Sequence, residues 1–418
     1  MNVTPRTALV FFAAMFLAAP PAVSADKARL LLTTDGTHSW AQKEAAFDSL
    51  VAELGGFAVE KSKDLDRWLP RNIKDYDLVV IHTTGGTLSA EQANGLRDFV
   101  QAGGGLVGIH CATDSFKNSD VYWELLGGRF REHGGGKFTV EIADPFHPVL
   151  RGVKDFEVND EDYQHDYHPR AGLRVLMKKK GDDRNMVWVK RVGKGRLFYI
   201  ANGDNPGVFQ NPGFRDVLGN GLLWASGGRV PPSREGEEGF EPIFDGKSLA
   251  GWEGDEKLWR AKDGLLVGTS PGIRHNDFLC SKKEWGDFEL RLQFRVVKAQ
   301  GNTGVQIRSK KIPGHVSGYQ ADIGEGYWGC LYDEERRNKV LVQAAEGWEA
   351  ALEKDGWSDY AIRCEGDRVL LKINGFTTVD YKEPDPAIAR SGIVALQIHS
   401  GGPMEVQFAD LRVKTLGK

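Results

Sequence analysis

Hydrophobic and polar positions alternate strictly in three segments of the second half of the chain, residues 305–308, 319–323 and 395–400. This alternation predicts β-strands with one buried face. The polar positions of these segments hold Gln306, Arg308, Gln320, Asp322, Gln397 and His399. If the strands share a sheet, one face combines amides, a guanidinium, a carboxylate and an imidazole, which is a composition typical of a sugar site. The alternative interpretation is the solvated outer face of an antiparallel sheet.

Strand-like segments follow one another from Phe240 to the end of the chain, with turn residues and no helical pattern between them. This order predicts an antiparallel β-sandwich over residues 240–418. The pair Asn374-Gly375 predicts a type I′ hairpin within it. Residues 229–239 are rich in glycine, proline and charge, and we interpret them as an interdomain linker.

Strand and helix patterns alternate in residues 26–228, which predicts an α/β domain with a mostly parallel sheet. The segments that carry this pattern are Arg29–Thr33, Trp40–Leu54, Leu78–His82, Ser89–Ala102 and Leu106–His110. Ser89 is expected to cap the second helix. In such a domain, ligands bind at the carboxyl ends of the strands.

Residues 1–25 have the pattern of a cleaved signal peptide. Arg6 precedes an apolar run from Ala8 to Ala19, and a Val-Ser-Ala cleavage pattern follows. The run is too short to span a bilayer comfortably. We therefore expect a periplasmic or extracellular protein, with a mature chain that begins near Asp26 and no membrane span.

Composition adds four limits. A chain of 418 residues is too long for one core and indicates several domains. A net charge of −4 with interspersed charges gives no electrostatic case for nucleic acid. Four cysteines are too few for a disulfide framework. Nothing in the pattern indicates an oligomeric state.

A strand that enters a tight turn at Gly108 to Ala112 resembles a nucleophile elbow. Further motifs are Thr37–Trp40, His147-Pro148, Asp160-Glu161 with Tyr163, and Gln210–Phe214. Together they resemble the ThuA-like trehalose-utilisation family, relatives of class I glutamine amidotransferases, over about residues 28 to 228. The resemblance implies a flavodoxin-like, amidotransferase-like fold.

Two departures from the amidotransferases bear on chemistry. His110 stands where those enzymes carry the attacking thiol, so glutamine hydrolysis is not expected. Asn202-Gly203-Asp204-Asn205 stands where relatives tend to have Gly-His-Asp. The resemblance leaves His110 and Glu161, with His38, as the candidate site of this domain.

Residues 159–168 hold four acidic residues and two histidines. Ligands of this density suit a divalent metal, whereas a solvated loop before Pro169 is the interpretation that we favour. The sequence establishes no cofactor, a divalent metal is compatible with it, and the identity of any metal stays open.

The second half also resembles a known family. Its motifs are Phe244–Leu249 with Gly251-Trp252, Asp287–Leu290, Asn302–Arg308, Gly356-Trp357, Asn374-Gly375 and Gly392–His399. They resemble the 3-keto-disaccharide hydrolase family, also described as 3-keto-glucoside 1,2-lyase and 3-keto-2-hydroxyglucal hydratase domains. The resemblance covers about residues 240 to 416 and implies a concanavalin-like jelly roll. Many relatives carry Glu-x-Gln-Ile where this chain has Gln320-Ala321-Asp322-Ile323.

The resemblance implies removal of the C2 proton of a 3-keto sugar, elimination of the C1 oxygen and hydration. A base near its working pH and donors for the enolate are then needed. Asp322 or His399 is expected as base or acid, and Arg308 as the group that holds the oxyanion. The expected sugar-binding residues are Gln306, Gln320, Gln397, Tyr332 and Glu334.

Three functional hypotheses follow, all with a small carbohydrate as ligand. The leading one is an exported enzyme that cleaves 3-keto-glycosides through its second domain. The second is a glycan-binding protein without catalysis, because a jelly roll alone does not decide function. The third makes the ThuA-like domain the sugar-processing enzyme and the jelly roll its docking module.

Overall fold

The computed structural model describes residues 27–36, 39–233 and 236–417. The predicted signal peptide and the candidate residue His38 lie outside the described residues. No helix within these ranges is long and apolar enough to cross a membrane.

The described residues of the first domain form one nine-stranded sheet. Its strands are β1 (Ala28–Thr34), β2 (Phe57–Ser62), β3 (Leu78–His82), β4 (Gly105–Ile109), β5 (Gly128–Ile142), β6 (Phe156–Tyr167), β7 (Arg174–Lys179), β8 (Asn185–Val192) and β9 (Gly195–Ile200). They lie in the order β2-β1-β3-β4-β9-β8-β7-β5-β6. The first five strands in this order are parallel, which confirms the predicted α/β class.

The other four strands extend this sheet in antiparallel fashion. Residues 159–168, which we interpreted as a solvated loop, lie mostly in β6, so that interpretation is wrong. The strand pairs with β5 along nearly its whole length. Backbone pairing with a neighbour therefore overrides the high polarity of this segment, as β-propensity depends strongly on context.

Helices pack against the parallel half of the sheet. They are α1 (Trp40–Leu54), α2 (Pro70–Ile73), α3 (Ala90–Ala102), α4 (Asp120–Leu126) and α5 (Pro212–Ala225). Short 3₁₀ turns occupy Leu65–Trp68, His110–Asp114, Pro148–Leu150 and Pro206–Gln210. Ser89 caps α3 in a reciprocal capping box with Gln92, as predicted.

The described residues of the second domain form strands and two 3₁₀ turns, Val297–Ala299 and Trp348–Ala350. The strands are β10 (Glu241–Pro242), β11 (Trp252–Glu253), β12 (Trp259–Lys262), β13 (Leu265–Ser270), β14 (Asp277–Trp285), β15 (Phe288–Val296), β16 (Asn302–Ile312), β17 (His315–Gly324), β18 (Leu331–Glu334), β19 (Lys339–Val342), β20 (Ser358–Glu365), β21 (Arg368–Ile373), β22 (Phe376–Lys382), β23 (Gly392–Ile398) and β24 (Met404–Thr415).

Two antiparallel sheets build the sandwich. One has the order β12-β13-β24-β15-β20-β21-β22, with β10 added beside β24, and the other has the order β11-β14-β23-β16-β17-β18-β19. Aliphatic and aromatic residues from both sheets form one buried cluster, so the predicted jelly-roll class is confirmed. Asn374 and Gly375, with φ values of 47° and 86°, make the turn between β21 and β22, as a type I′ hairpin requires.

The segment between the domains is held at two points. Val230 is buried, and its carbonyl accepts hydrogen bonds from Arg151 and Gln293. The carboxylate of Glu237 forms ion pairs with Arg291 and Arg412. The predicted linker therefore runs along the second domain at these positions.

Candidate functional site

One face of the second sheet carries a set of polar side chains. Gln306 on β16 lies opposite Gln320 on β17, which in turn lies opposite Tyr332 on β18. Asp322 and Glu334 follow two positions away on the same strands. Residues directly opposite one another, and residues two apart on a strand, point to the same face. The parity expected from the sequence therefore holds for Gln306, Gln320 and Asp322. Tyr332 and Glu334 were expected in an adjoining loop, but they lie in β18, on the same face.

Three glutamines on neighbouring strands form a hydrogen-bonded row. Gln306 Nε2 donates to Gln320 Oε1 at 2.6 Å, and Gln320 Nε2 lies 3.3 Å from Gln397 Oε1. All three side chains are buried. Their amides bind one another, so the row is a preorganised unit rather than a set of solvated side chains.

Glycine at position 304 makes room for this row. A Cβ atom there would lie 2.5 Å from Gln320 Cγ, closer than packed atoms tolerate. The side chain of Gln320 can therefore lie across β16 and reach both Gln397 and Asp322.

Asp322 lies at one end of the glutamine row. Its Oδ2 accepts a hydrogen bond from Gln320 Nε2 at 3.2 Å, and its Oδ1 accepts one from the backbone N–H of Ile323 at 2.9 Å. Burial raises the pKa of Asp322 to about 7 in spite of these hydrogen bonds. A carboxyl group that ionises near neutral pH is well suited to act as a general base.

A second group of polar side chains, centred on Glu334, adjoins the glutamine row. Its Oε1 accepts a hydrogen bond from Asn276 Nδ2 at 3.2 Å and lies 3.6 Å from His315 Nε2. Burial raises the pKa of Glu334, although the charge of His315 and the Asn276 hydrogen bond oppose this rise. Asn276 also accepts a hydrogen bond from the backbone of Ser400, the residue after His399. His399 is half-buried, and its Nδ1 lies 2.7 Å from the Ser400 carbonyl oxygen.

The expected placement of Arg308 is wrong. The register of β16 shifts after Ile307, and Arg308 has a φ of 46°, so the two-residue alternation breaks there. Its guanidinium donates to Asp287 Oδ1 at 2.6 Å and to the Gly366 carbonyl at 2.7 Å. Both partners belong to turns that lead into strands of the other sheet, so Arg308 joins the two sheets instead of facing the glutamine row.

Asn276, His315 and Ser309 were not predicted from the sequence. Asn276 lies before β14, a strand that was not recognised, and His315 begins the hairpin that enters β17. Ser309 Oγ donates to Gln306 Oε1 at 2.8 Å. Ser309 directly follows the alternating segment 305–308, and the shift in register after Ile307 hid its orientation.

In the first domain, His110 lies directly after β4 with a left-handed φ of 46°. Its Nδ1 is 2.8 Å from the Ala201 carbonyl oxygen, and its Nε2 is 3.4 Å from Glu161 Oε2. A non-glycine residue in this conformation costs free energy and is frequent at functional sites. The predicted pair of His110 and Glu161 is therefore brought together at the carboxyl end of a central parallel strand.

Cys111, beside His110, does not have the environment of a nucleophile. Its side chain is fully buried, and burial raises the pKa of the thiol well above its ordinary value. Since the thiolate is the reactive form, this environment fits the expectation that the elbow does not hydrolyse glutamine.

Two groups of side chains have the spacing of metal ligands within the described part of the chain. Their members are His110, Glu161 and Asp204 in the first domain and His315, Glu334 and Glu335 in the second. In each group every residue offers one ligand atom, and these three atoms all lie within 4.8 Å of one another.

Three solved structures similar to this chain each cover half of it or less. A ThuA-like protein from Parabacteroides merdae is 21% identical, covers 50% of this chain and 93% of its own, and has a TM-score of 0.45. A protein from Parabacteroides distasonis described as a glycosyl hydrolase is 18% identical, with 45% and 99% coverage and a TM-score of 0.35. A carbohydrate-binding module from Bacillus subtilis is 16% identical, with 40% and 96% coverage and a TM-score of 0.33.

No curated protein matches the chain. Residues 29–225 match the family model described as trehalose utilisation, ThuA, and residues 239–414 match the 3-keto-alpha-glucoside-1,2-lyase-like domain. Between them, the two family models account for nearly all of the chain after residue 28. The chain therefore consists of a ThuA domain followed by a 3-keto-alpha-glucoside-1,2-lyase-like domain.

Proposed function

We propose that the second domain binds a 3-keto glycoside and cleaves it by 1,2-elimination followed by hydration. The observation that carries this proposal is the buried row of Gln306, Gln320 and Gln397, which ends on Asp322. The family to which the domain belongs supports the substrate class.

Asp322 is the proposed base. Its carboxylate takes the C2 proton, which the neighbouring 3-keto group acidifies, and the electron pair forms an enolate. As the enolate collapses, the bond between C1 and its oxygen breaks, and the departing oxygen takes a proton from an acid. His399 and Glu334 are the candidate acids, and water then adds across the new double bond.

Amide donors replace Arg308 in the proposed binding of the sugar oxygens. Gln397 Nε2 is buried and has no hydrogen-bond partner within the described ranges. A buried donor without a partner costs about 1–3 kcal/mol. A hydroxyl or enolate oxygen of the substrate would satisfy it, which supports a role for this amide in binding.

The test is incubation of the full chain with a 3-keto-disaccharide, followed by detection of 2-hydroxyglucal and free 3-keto-glucose. We expect Asp322→Asn to slow turnover by about 10²-fold or more, as is typical for loss of a general base, while substrate binding persists. The matched control is Glu346→Gln, which removes an exposed carboxylate from the same domain and should leave turnover unchanged.

A glycan-binding protein without catalysis is the alternative, and it is favoured by the mutual hydrogen bonding of the glutamines. Binding of the sugar with no product from the wild-type chain would establish this alternative. Turnover by the isolated first domain would instead make that domain the enzyme.

We also propose that the mature protein begins near Asp26 outside the cytoplasm, on the basis of the signal-like residues 1–25. N-terminal sequencing of the exported protein tests this. An exported chain that still begins at Met1 would contradict it.

A further inference from the structure

We propose that the first domain holds one divalent first-row metal ion between His110, Glu161 and Asp204. One nitrogen and two carboxylate oxygens lie within 4.8 Å of one another. Ligands at about 2.1 Å from a tetrahedral ion are about 3.4 Å apart, and His110 Nε2 lies 3.4 Å from Glu161 Oε2. His110 and Glu161 therefore already have the separation that one ion requires, and the ligand atom of Asp204 lies within 4.8 Å of both.

The hydrogen bond of His110 determines which nitrogen faces this gap. The Ala201 carbonyl oxygen can only accept, so Nδ1 carries a proton and donates to it across 2.8 Å. In the neutral ring, the lone pair is then on Nε2 and faces the Glu161 carboxylate. Two acceptors at 3.4 Å repel each other, and a cation between them removes this repulsion. A backbone carbonyl on the far nitrogen is also the usual outer partner of a metal-bound histidine.

Asp160 positions the loop that carries Asp204. The buried carboxylate of Asp160 accepts hydrogen bonds from the backbone N–H groups of Gly203 at 2.7 Å and Asn205 at 2.8 Å. Asp204 lies between these two anchored residues. The backbone is therefore fixed on both sides of Asp204, whose ligand atom lies within 4.8 Å of those of His110 and Glu161.

Lys43 on α1 gives an independent observation. Its side chain is fully buried, and its Nζ has no hydrogen-bond partner among the described residues. Its ammonium interacts electrostatically with the carboxylates of Asp204, Asp160 and Glu161. The two carboxylates of the proposed ligands, Glu161 and Asp204, carry a formal charge of −2 in a partly buried region, where unbalanced charge is costly. One divalent cation balances it.

Solvent can reach this site from one side. The side chain of Glu161 is 24% exposed, and the neighbouring His133 is 44% exposed. Three protein ligands leave at least one coordination position for water or substrate, as in catalytic rather than structural metal sites. A ligand set of one imidazole and two carboxylates suits Mn²⁺, Fe²⁺ or Zn²⁺ better than Ca²⁺, which prefers oxygen ligands throughout.

The test uses the full chain, dialysed against EDTA and then loaded with MnCl₂. We expect about one Mn²⁺ per chain after gel filtration, measured by mass spectrometry of the metal. Glu161→Gln and Asp204→Asn should each weaken binding by about tenfold or more. Electron spin-echo measurements should show a ¹⁴N coupling to Mn²⁺ that disappears in His110→Asn.

Two carboxylate variants serve as controls. Glu157→Gln changes an exposed residue on the same strand, β6, and Glu334→Gln removes the matching ligand of the second domain's group. Both should bind one Mn²⁺ as the wild type does. Circular dichroism and thermal unfolding verify that each variant is folded. If His110→Asn does not fold, the Mn²⁺ affinity of Asp204→Asn, which changes a half-buried loop position, tests the site instead.

Three results would overturn the proposal. In the first, the wild-type chain retains no Mn²⁺ at 100 μM free ion. In the second, Glu161→Gln and Asp204→Asn bind Mn²⁺ as tightly as the wild type. In the third, Glu334→Gln is the only variant that loses the ion. The first two results would exclude a metal ion between His110 and Glu161, and the last would assign the ion to the second domain. The first two results do not bear on cleavage by the second domain, so the two proposals can fail independently.

Discussion

His147 in the first domain lies with its Nε2 3.4 Å from Oε1 of Glu353 in the second domain, and both side chains are buried. The other oxygen of Glu353 accepts a hydrogen bond from Arg191 of the first domain at 2.7 Å. A carboxylate of one domain is thus enclosed by an imidazole and a guanidinium of the other. The two domains therefore share a buried polar contact in addition to the linker.

Replacement of Glu353 by glutamine is expected to destabilise the chain at pH 7 by about 1–3 kcal/mol, because His147 and Arg191 then lose a buried charged acceptor, although Asp355 still pairs with Arg191 at 2.6 Å. Burial alone would raise the pKa of Glu353, but the hydrogen bond and charge of His147 and the charges of Arg191 and Arg196 lower it to about 2. The stabilisation is therefore present above the unfolded-state pKa of 4.5 and is lost as the pH falls toward 2.

Urea unfolding of Glu353→Gln and wild type between pH 3 and pH 7 checks this. The difference in the free energy of unfolding should shrink at the acid end. The exposed neighbour Glu349 provides the control variant Glu349→Gln, which should match the wild type. Equal stability of Glu353→Gln and wild type at pH 7 would show that the contact contributes nothing.

Limited proteolysis is expected to cut the chain between Gly227 and Gly239 and to leave two folded fragments. Each domain has its own buried core. The fragments should stay associated at pH 7 through the contact of His147 with Glu353 and through Arg151, which forms an ion pair with Asp359 of the second domain. Gel filtration of the cut protein measures this, and cut Glu353→Gln should separate more readily. Unfolding of either fragment would contradict the prediction of two independent folding units.

The first domain is expected to release no ammonia from glutamine, and native Cys111 is expected to resist iodoacetamide at pH 8. The reason is the full burial of the thiol, which raises its pKa and shields it from the reagent. Mass spectrometry should detect alkylation of all four cysteines only after denaturation, because each of them is free and buried. Ammonia release that disappears in Cys111→Ala would refute the prediction.

The alternating pattern correctly predicted which side chains share the polar face of the second domain wherever a strand has no bulge. Gln320 and Asp322 share a face because nothing interrupts β17 between them, whereas the bulge at Arg308 reverses a side chain without any sign in the local pattern. Contacts between residues far apart in the sequence could not be predicted either. His147 and Glu353 are separated by some two hundred residues, and neither belongs to a periodic segment that would indicate its partner.

In the first domain, the parallel half of the sheet could be predicted from the sequence, whereas the pairing of β5 with β6 could not. The continuous hydrophobic runs of β3 and β4 identified the parallel half of the sheet, because both faces of such strands are buried. β6 is polar, and its partner β5 contains three consecutive glycines, so neither resembles a strand in isolation. The pair exists because each strand satisfies the backbone hydrogen bonds of the other. For the same reason, the sequence alone could not place Asp160 under the loop that carries Asp204.

The titration of Asp322 should couple the stability of the second domain to its activity. The folded carboxyl group keeps its proton up to about pH 7, whereas the unfolded group ionises near 3.8. The protonated group therefore contributes fully to the free energy of unfolding below pH 3.8. This contribution is lost as the pH rises to about 7, and above that pH the loss reaches about 4 kcal/mol. Asp322→Asn carries no charge and keeps an oxygen that can accept from the Ile323 N–H.

We therefore expect Asp322→Asn to be more stable than wild type at pH 8 and similar to it at pH 4, as measured by urea unfolding. If Asp322 is the base, the wild-type kcat/KM should rise with pH through an inflection near 7, because only the ionised carboxylate can take the C2 proton. The inflection should vanish in Asp322→Asn and persist in the control Glu346→Gln. A variant that gains no stability at pH 8 would show that the carboxyl group is solvated in the folded protein. A wild-type rate that stays level between pH 6 and pH 8 would assign the proton transfer to another residue, with His399 and Glu334 as the next candidates.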